Sequence, residues 1–545
     1  MSSSEKPIIT INGKEYSQED IQQQTTQFGQ NGTSKSIILC FDGTENEFGP
    51  KPFTNVLKLF RILDRDDPNQ ICYYQPGIGS SYGPDTDLST ARGFTSTTLA
   101  KISNRVDSFI AFTLEKHVMA AYSFLSAVYN PTDKIYLFGF SRGSFTARII
   151  AGMMELVGLV NYGLHDMTPL AWKIYTSWEY SGQPSESQNK TMTMATEFRK
   201  TFSRANTRIY FMGLWDSVNS VGVLWDKMFP YTVRTSNVDH IRHAVSLDER
   251  RAKFKQQLFA TTDSRSKLIT TNTSTTSSLI TNYSMATLKS LSDLLKFAYE
   301  RISNSTTTRG KAPIIEDLVE IYFPGNHGDV GGGWNVDPEN QVLSNIPLRW
   351  MLAQAIQFGV RFQKGSIGQW SQQNPCITSF LSHHHDVLKY INRCPEKLPE
   401  NSLPKVPLKR FAGRAEDSWI YTLLWWILEL VPFLRLIEDN DGHWKRIFRP
   451  NLGNHRLIAD ECHLHWSIFY RLHYVYDYNP RNIPDFKVGE KFLNQLSQFK
   501  NFNSKELKKY SENLTMNKIK SDWTSDIWKK IPDELQVHLD KNRNL

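Results

Sequence analysis

Along the first two thirds of the chain, short runs of almost unbroken apolar residues alternate with longer amphipathic stretches. "KSIILCFDGT", "ICYYQPG", "DKIYLFGFS", "TRIYFMGLWDS" and "VEIYFPGNHGD" each hold a β-branched or aromatic run that stops at a glycine or a polar residue. Runs of this kind suit strands covered on both faces, as in a parallel sheet. Between them lie helical patterns, including "NVLKLFRIL" and "RVDSFIAFTLEKHVMAAYSFLSAV". The alternation predicts an open α/β sheet, where ligands bind at the carboxyl ends of the strands. The polar termini of all five runs sit at those ends. "NVDHIRHAVSLDERR", with its charges and two histidines, reads as the start of another helix.

The rhythm breaks in three places. Residues 1–34 are polar and Gln/Ser/Thr-rich and predict a loose tail. Residues 261–310 form a Ser/Thr/Asn-biased insertion, expected to be a largely disordered surface excursion with one short helix at "ATLKSLSDLLKFAYERI". From about residue 373 the βα rhythm fades into what reads as a mainly helical C-terminal region rich in Trp, Tyr and His. The expected organisation is a tail (1–34), an α/β domain (35–372) carrying the insertion, and a helical extension (373–545).

Within that extension, "SWIYTLLWWILELVPFLRLI" (418–437) is the most apolar stretch of the chain, interrupted by Glu429, Pro432 and Arg435. Charges at a helix centre are costly in a bilayer, so a span is disfavoured. On a helix, Thr422 and Glu429 share a narrow polar stripe beside a broad apolar face. That pattern predicts a packed or lid-like helix, with peripheral membrane contact as the competing reading.

Composition adds limits. The 545 residues carry a formal charge of +8 with 40% hydrophobic and 22% charged residues, ordinary for a globular protein. Without a clustered basic stripe, this charge argues against a nucleic-acid partner. The 14 Trp, 22 Tyr and 31 Phe are a generous supply for a core or an apolar cleft. Cys40, Cys72, Cys376, Cys394 and Cys462 are scattered and odd in number, and no CxxC pair suggests zinc. A polar N-terminus without an apolar signal segment completes the expectation of a reducing, cytoplasmic setting.

The most informative chemistry lies at "YLFGFSRGSFTARIIAG". Its "GFSRG" (139–143) fits G-x-S-x-G, a tight strand-to-helix turn that pushes a serine hydroxyl out of the sheet top. The context that the turn needs is present, with an apolar strand before it and a small-residue helix after it, and Gly158 is the expected stop of that helix. Ser141 is therefore the candidate nucleophile. A serine needs a base, and the base needs an orienting acid, in the chain order Ser, Asp/Glu, His. Asp216 follows the next strand, and His327 follows the one after it among glycines. Asp329 competes for the acid role but reads as a residue shaping the His327 loop. The expected oxyanion donors are the backbone N–H groups of Arg142 and of Gly43 in "FDGT", with Asp42 bracing that loop.

Other chemistries lack parts. An aspartyl phosphatase would need a carboxylate two residues before Asp42, where Cys40 stands. "PGNHGDVGGGW" lacks the Gly-Lys-Ser/Thr of a phosphate loop and the spacing of a dinucleotide fingerprint. "HHHD" (383–386) and "CHLH" (462–465) lack matching ligands at metal-site spacing and read as hydrogen-bonded or solvated histidines.

In this order, "CFDGT", "NVLKLF", "YYQPGIG", "GFSRGSFTAR", "GLWDSVNSVG", "HAVSLDERRAKF" and "FPGNHGDVGGGW" give a resemblance over about residues 35–360. The chain resembles the α/β-hydrolase family, long catalogued as a domain of unknown function, that includes the catalytic part of type VI secretion lipase effectors and fungal proteins. The resemblance implies an α/β-hydrolase fold with a mostly parallel sheet flanked by helices. It also implies a triad falling on Ser141, Asp216 and His327, and phospholipase activity in bacterial members. The insertion between Asp216 and His327 departs from the compact pattern. The expectation is a cofactor-free serine hydrolase of carboxylic esters, with acyl lipids as substrate. The alternative is a non-catalytic membrane-associated or interaction protein on the same scaffold.

Overall fold

The computed structural model describes residues 34–43, 52–77, 113–177, 189–204, 206–218, 235–259, 317–336, 341–374, 382–389, 419–438 and 444–456, with isolated shorter stretches between 9 and 480. The apolar runs form strands β1 (Ser36–Phe41), β2 (Gln70–Gln75), β3 (Lys134–Phe140), β4 (Ile209–Trp215) and β6 (Asp317–Phe323). Strand β5 (Val238–Ser246) and a two-residue β7 (His463–Leu464) complete one sheet in the order β7-β6-β5-β4-β3-β1-β2. Every neighbouring pair in that sheet is parallel.

Alternate residues of β1 show why its sequence has no polar alternation. Ile37, Leu39 and Phe41 enter one core, and Ile38 and Cys40 enter the other. Helix α2 (113–128) and helix α3 (Arg142–Val157) cover the first face. Helix α1 (Asn55–Ile62) and helix α5 (Asn345–Gln357) cover the second. The result is the expected α/β-hydrolase-like fold. The chain leaves β1 toward β2 on one side and β3 on the other, so the sheet's switch point lies between β1 and β3. Doubly wound sheets open a ligand crevice there, outside the carboxyl ends.

Two local expectations are corrected, and two further segments show short strand pairs. His240 and His243 stand in the middle of β5, not at a helix start. Their polar side chains hid the strand, because each is partnered across to β6: His240 Nδ1 lies 2.7 Å from Asp317, and His243 Nδ1 lies 2.8 Å from Glu320. In the tail, Ile9–Ile11 pairs antiparallel with Lys14–Tyr16. In the insertion, Ile269–Thr271 pairs with Ser305–Thr307, while the helix expected at 286–302 lies outside the described residues. The apolar segment is helical only as α6 (Trp419–Leu430). It stops before Pro432, and Phe433–Glu438 then turns into a hairpin with Trp444–Arg449.

Candidate active site

Ser141 stands between β3 and α3 with φ 57° and ψ −122°, a conformation that L-residues rarely adopt. Both motif glycines are dictated by close approach. A Cβ on Gly139 would sit 2.6 Å from the backbone of Ser144, and one on Gly143 would sit 2.2 Å from the carbonyl oxygen of Phe41. The elbow is therefore wedged between its own helix and the end of β1. Helix α3 is buried along nearly its whole length and ends at Gly158, as the sequence predicts.

Asp216 follows β4 directly and also has positive φ, 39°. The Ser141 N–H donates to the carbonyl of Trp215 at 3.0 Å, and the Asp216 N–H to that of Ala244 at 2.7 Å. These bonds set the two residues at adjacent strand ends. His327 opens the short helix α4 (His327–Gly331), which is capped by a reciprocal pair between Asn326 and Asp329. His327 Nδ1 lies 2.6 Å from Asp216 Oδ2. A proton on Nδ1 leaves the Nε2 lone pair available as a base. The imidazole is held between two aromatic rings, Phe140 at 4.7 Å and Phe254 at 4.8 Å between centroids. Phe140 is the residue immediately before Ser141, so the histidine ring packs against the elbow itself.

The supporting residues come largely from "SLDERRAKF". The Ser246 N–H donates to Asp216 Oδ1 at 2.8 Å. Glu249 accepts the His327 backbone N–H at 3.1 Å and is itself held by the Arg251 guanidinium at 2.7 Å. That guanidinium lies over the Phe254 ring at 3.7 Å. The sequence flagged the motif but gave these residues no task. Arg456, from the C-terminal region, also reaches Asp216, at 2.6 Å. It was missed entirely.

Burial and charge oppose each other here. Burial would raise the Asp216 carboxyl, but Arg456 and His327 outweigh it and hold the group well below the usual carboxylate range. For His327 burial is the larger effect, and its pKa is lowered despite Asp216. The Glu249 carboxyl, although buried, is pulled down to about 2, chiefly by Arg251.

The remaining expected residues divide. Arg142 is the first residue of α3, at the positive end of a 16-residue helix. Gly43 differs from expectation, because its N–H donates to the Asp42 carboxylate at 2.7 Å. That carboxylate also accepts from Thr54 Oγ1 and from the Tyr74 hydroxyl, each at 2.8 Å. Buried and needing donors, it recruits the nearest N–H, and burial pushes its pKa up to about 6. Asp329 caps α4 and binds His385 at 2.7 Å, as a loop-shaping role requires. Within "HHHD", His384 faces Arg471 and Asp386 pairs with Arg250. In "CHLH", His465 stacks on Phe323. Among the described residues, no group of three His, Cys, Asp or Glu side chains is placed to hold a metal ion.

Helix α6 turns its polar stripe inward and its apolar face outward. Thr422 and Glu429, its polar stripe, are buried, while Trp419, Ile420, Leu423, Leu424, Ile427 and Leu430 are each 48–59% exposed. Glu429 is satisfied from within, accepting the N–H of Ala252 at 2.6 Å and of Gly453 at 3.0 Å. Trp425 packs on Phe254 at 5.7 Å, which connects the helix to the ring beside His327. Among the described residues, no helix is long and apolar enough to cross a membrane.

Comparison with known proteins places this architecture. Residues 35–354 match the family described as T6SS, Phospholipase effector Tle1-like, catalytic domain. The uncharacterized protein YEL023C of Saccharomyces cerevisiae is 34% identical over 661 residues, covering 94% of this chain and 96% of that protein. A crystal structure of an uncharacterized protein from Pseudomonas aeruginosa is similar at 18% identity and a TM-score of 0.32, over 66% of this chain and 51% of that one. More than half of the chain lies within the family match, and so this protein belongs to the family of Tle1-like phospholipase effector catalytic domains.

Proposed function

We propose that the protein is a serine hydrolase of phospholipid carboxylic esters. The observation that carries this reading is the strained Ser141 elbow packed, through Phe140, against a histidine already bonded to a buried carboxylate. In the proposed reaction His327 Nε2 takes the proton of the Ser141 hydroxyl as the oxygen attacks the acyl carbon. Asp216 holds the imidazole and stabilises the imidazolium that forms. The imidazolium returns the proton to the leaving alcohol, giving an acyl-enzyme. Water deprotonated by His327 then releases the fatty acid and restores the serine. The Arg142 N–H supplies one oxyanion donor, and each such donor lowers the barrier by about 3–4 kcal/mol. The Gly43 N–H becomes a second donor only by exchanging the Asp42 carboxylate for the oxyanion.

The apolar face of α6 serves the same reading as an interfacial surface. A helix lying in the headgroup region with its apolar side down would hold the Phe254–His327 pair behind it, at the membrane surface. Family membership supports a lipid substrate, and six exposed apolar side chains on the helix that packs on Phe254 support its delivery from a surface.

The test is labelling by a fluorophosphonate probe together with fatty-acid release from phosphatidylcholine and phosphatidylglycerol vesicles. Labelling and release by the wild type, both lost in Ser141→Ala, are expected. Folded wild-type protein that neither labels nor releases fatty acid across pH and lipid conditions would sink the hydrolase reading in favour of a scaffold.

A further inference from the structure

The region beyond the family match sends one side chain into the hydrolase site. Arg456 and Asp216 stand 240 positions apart, and both side chains are fully buried. Arg456 Nη1 donates to Asp216 Oδ1 at 2.6 Å, and Nη2 donates to Oδ2 at 2.8 Å. The same oxygens accept the Ser246 N–H and the His327 ring. The guanidinium has its own anchors, with Nε on the carbonyl of Phe254 at 2.9 Å and Nη1 on that of Ser246 at 3.0 Å. A planar fork fixed at its base and paired at its tip sets the plane of the carboxylate it grips.

We propose that Arg456 is a positioning residue of the hydrolase, which locks the Asp216 carboxylate in the orientation the His327 Nδ1–H requires and offsets its charge. The triad is then complete only when the C-terminal segment is in place. This rests on the Ser141–His327–Asp216 reading of the site.

The carrying segment is itself tied down. Asn451 Nδ2 and the Gly453 N–H both reach Glu429 of α6, so only a few residues separate the helix anchor from the triad anchor. Two consequences follow from removing the guanidinium. The carboxylate loses its fixed plane, and His327 then loses alignment with the serine. The imidazole also feels Asp216 without a compensating cation. Of the groups facing His327, Asp216 and Glu249 favour the imidazolium, while burial and Arg251 oppose it. Arg456 opposes it through Asp216, so its loss makes the base more basic.

The test measures the fluorophosphonate labelling rate of the full chain against pH in wild type, Arg456→Gln and Arg456→Lys, with thermal unfolding as the check on folding. Arg456→Gln is expected to label about a hundredfold more slowly, the scale of a misplaced catalytic group, with its acid limb moved to higher pH. Arg456→Lys keeps the charge without the fork, so it is expected to lose rate while holding the acid limb near the wild-type position. A purely structural role would lower the unfolding temperature and leave the acid limb where it is. Wild-type rate and limb in Arg456→Gln overturn the assignment. If that variant does not fold, a wild-type rate in Arg456→Lys overturns it equally. A wild type that never labels overturns the hydrolase reading and the assignment with it. A labelling wild type matched by its variants overturns the assignment alone.

Discussion

The Phe140 ring lies 4.7 Å from the His327 imidazole at an interplanar angle of 31°. The space for that ring exists because residue 331 has no side chain, since a Cβ there would sit 1.8 Å from the Phe140 ring. Gly331→Ala must therefore push Phe140 off the histidine or distort α4. The expected cost is about 1–3 kcal/mol by chemical denaturation, the range for overpacking a core, together with a lower labelling rate. A variant with wild-type midpoint and rate would show that the ring pair does not couple the elbow to His327.

The Ser141 backbone gives a prediction of opposite sign. At φ 57° and ψ −122° a side chain is a liability, and glycine is relieved of it. Ser141→Ala and Ser141→Gly should both be inactive, but Ser141→Gly should be the more stable by about 1 kcal/mol. Equal denaturation midpoints would mean that the turn stores no strain.

Two pH effects follow from the buried Asp216–His327 pair. Burial lowers His327 from its ordinary value near 6.5, so the neutral base persists into mild acid. The acid limb of kcat/KM is expected below about pH 6.5, and a limb above about 7 would contradict it. Asp216 is depressed by Arg456, so its contribution to stability is present above the unfolded value near 4 and is lost as pH falls below it. Asp216→Asn takes from the buried Arg456 the carboxylate that it grips through two hydrogen bonds, leaving the field of Glu249, and should cost about 3 kcal/mol or more at neutral pH. The deficit against wild type should shrink as pH falls below about 4, which acid titrations of the unfolding midpoint can read.

How far the sequence carries depends on how local each signal is. The strand-end positions of Ser141, Asp216 and His327 were legible because each follows an apolar run that ends abruptly, and such runs mark strands in a two-sided sheet. Strand β5 was not, because its charges are paired with Asp317 and Glu320 of β6, and a paired charge inside a sheet looks the same in sequence as a solvated one. The packing face of helix α6 was not legible for a related reason. The stripe with Glu429 does not say which face packs until the N–H groups of Ala252 and Gly453 are seen to satisfy that carboxylate. Arg456 has no local pattern at all, and its meaning comes wholly from a contact across 240 positions.

The outward apolar face of α6 leads to the remaining prediction. Six large apolar side chains on one face of α6 lie open, while its carboxylate points inward, an arrangement costly to maintain in water unless the face is covered in use. Lipid is the cover that the proposed function supplies. Leu424→Asp with Ile427→Asp places two charges where the face would enter the headgroup region, without touching Glu429, Thr422 or Trp425. Co-flotation with phospholipid vesicles should fall about tenfold or more, as expected from losing roughly 1.5–3 kcal/mol of burial per large side chain. Fatty-acid release from vesicles should fall with it, and turnover of a short-chain monomeric ester should fall much less, because that substrate needs no surface. Unchanged flotation would remove α6 from membrane contact. An equal loss on both substrates would instead assign the helix to the architecture around Phe254 and His327.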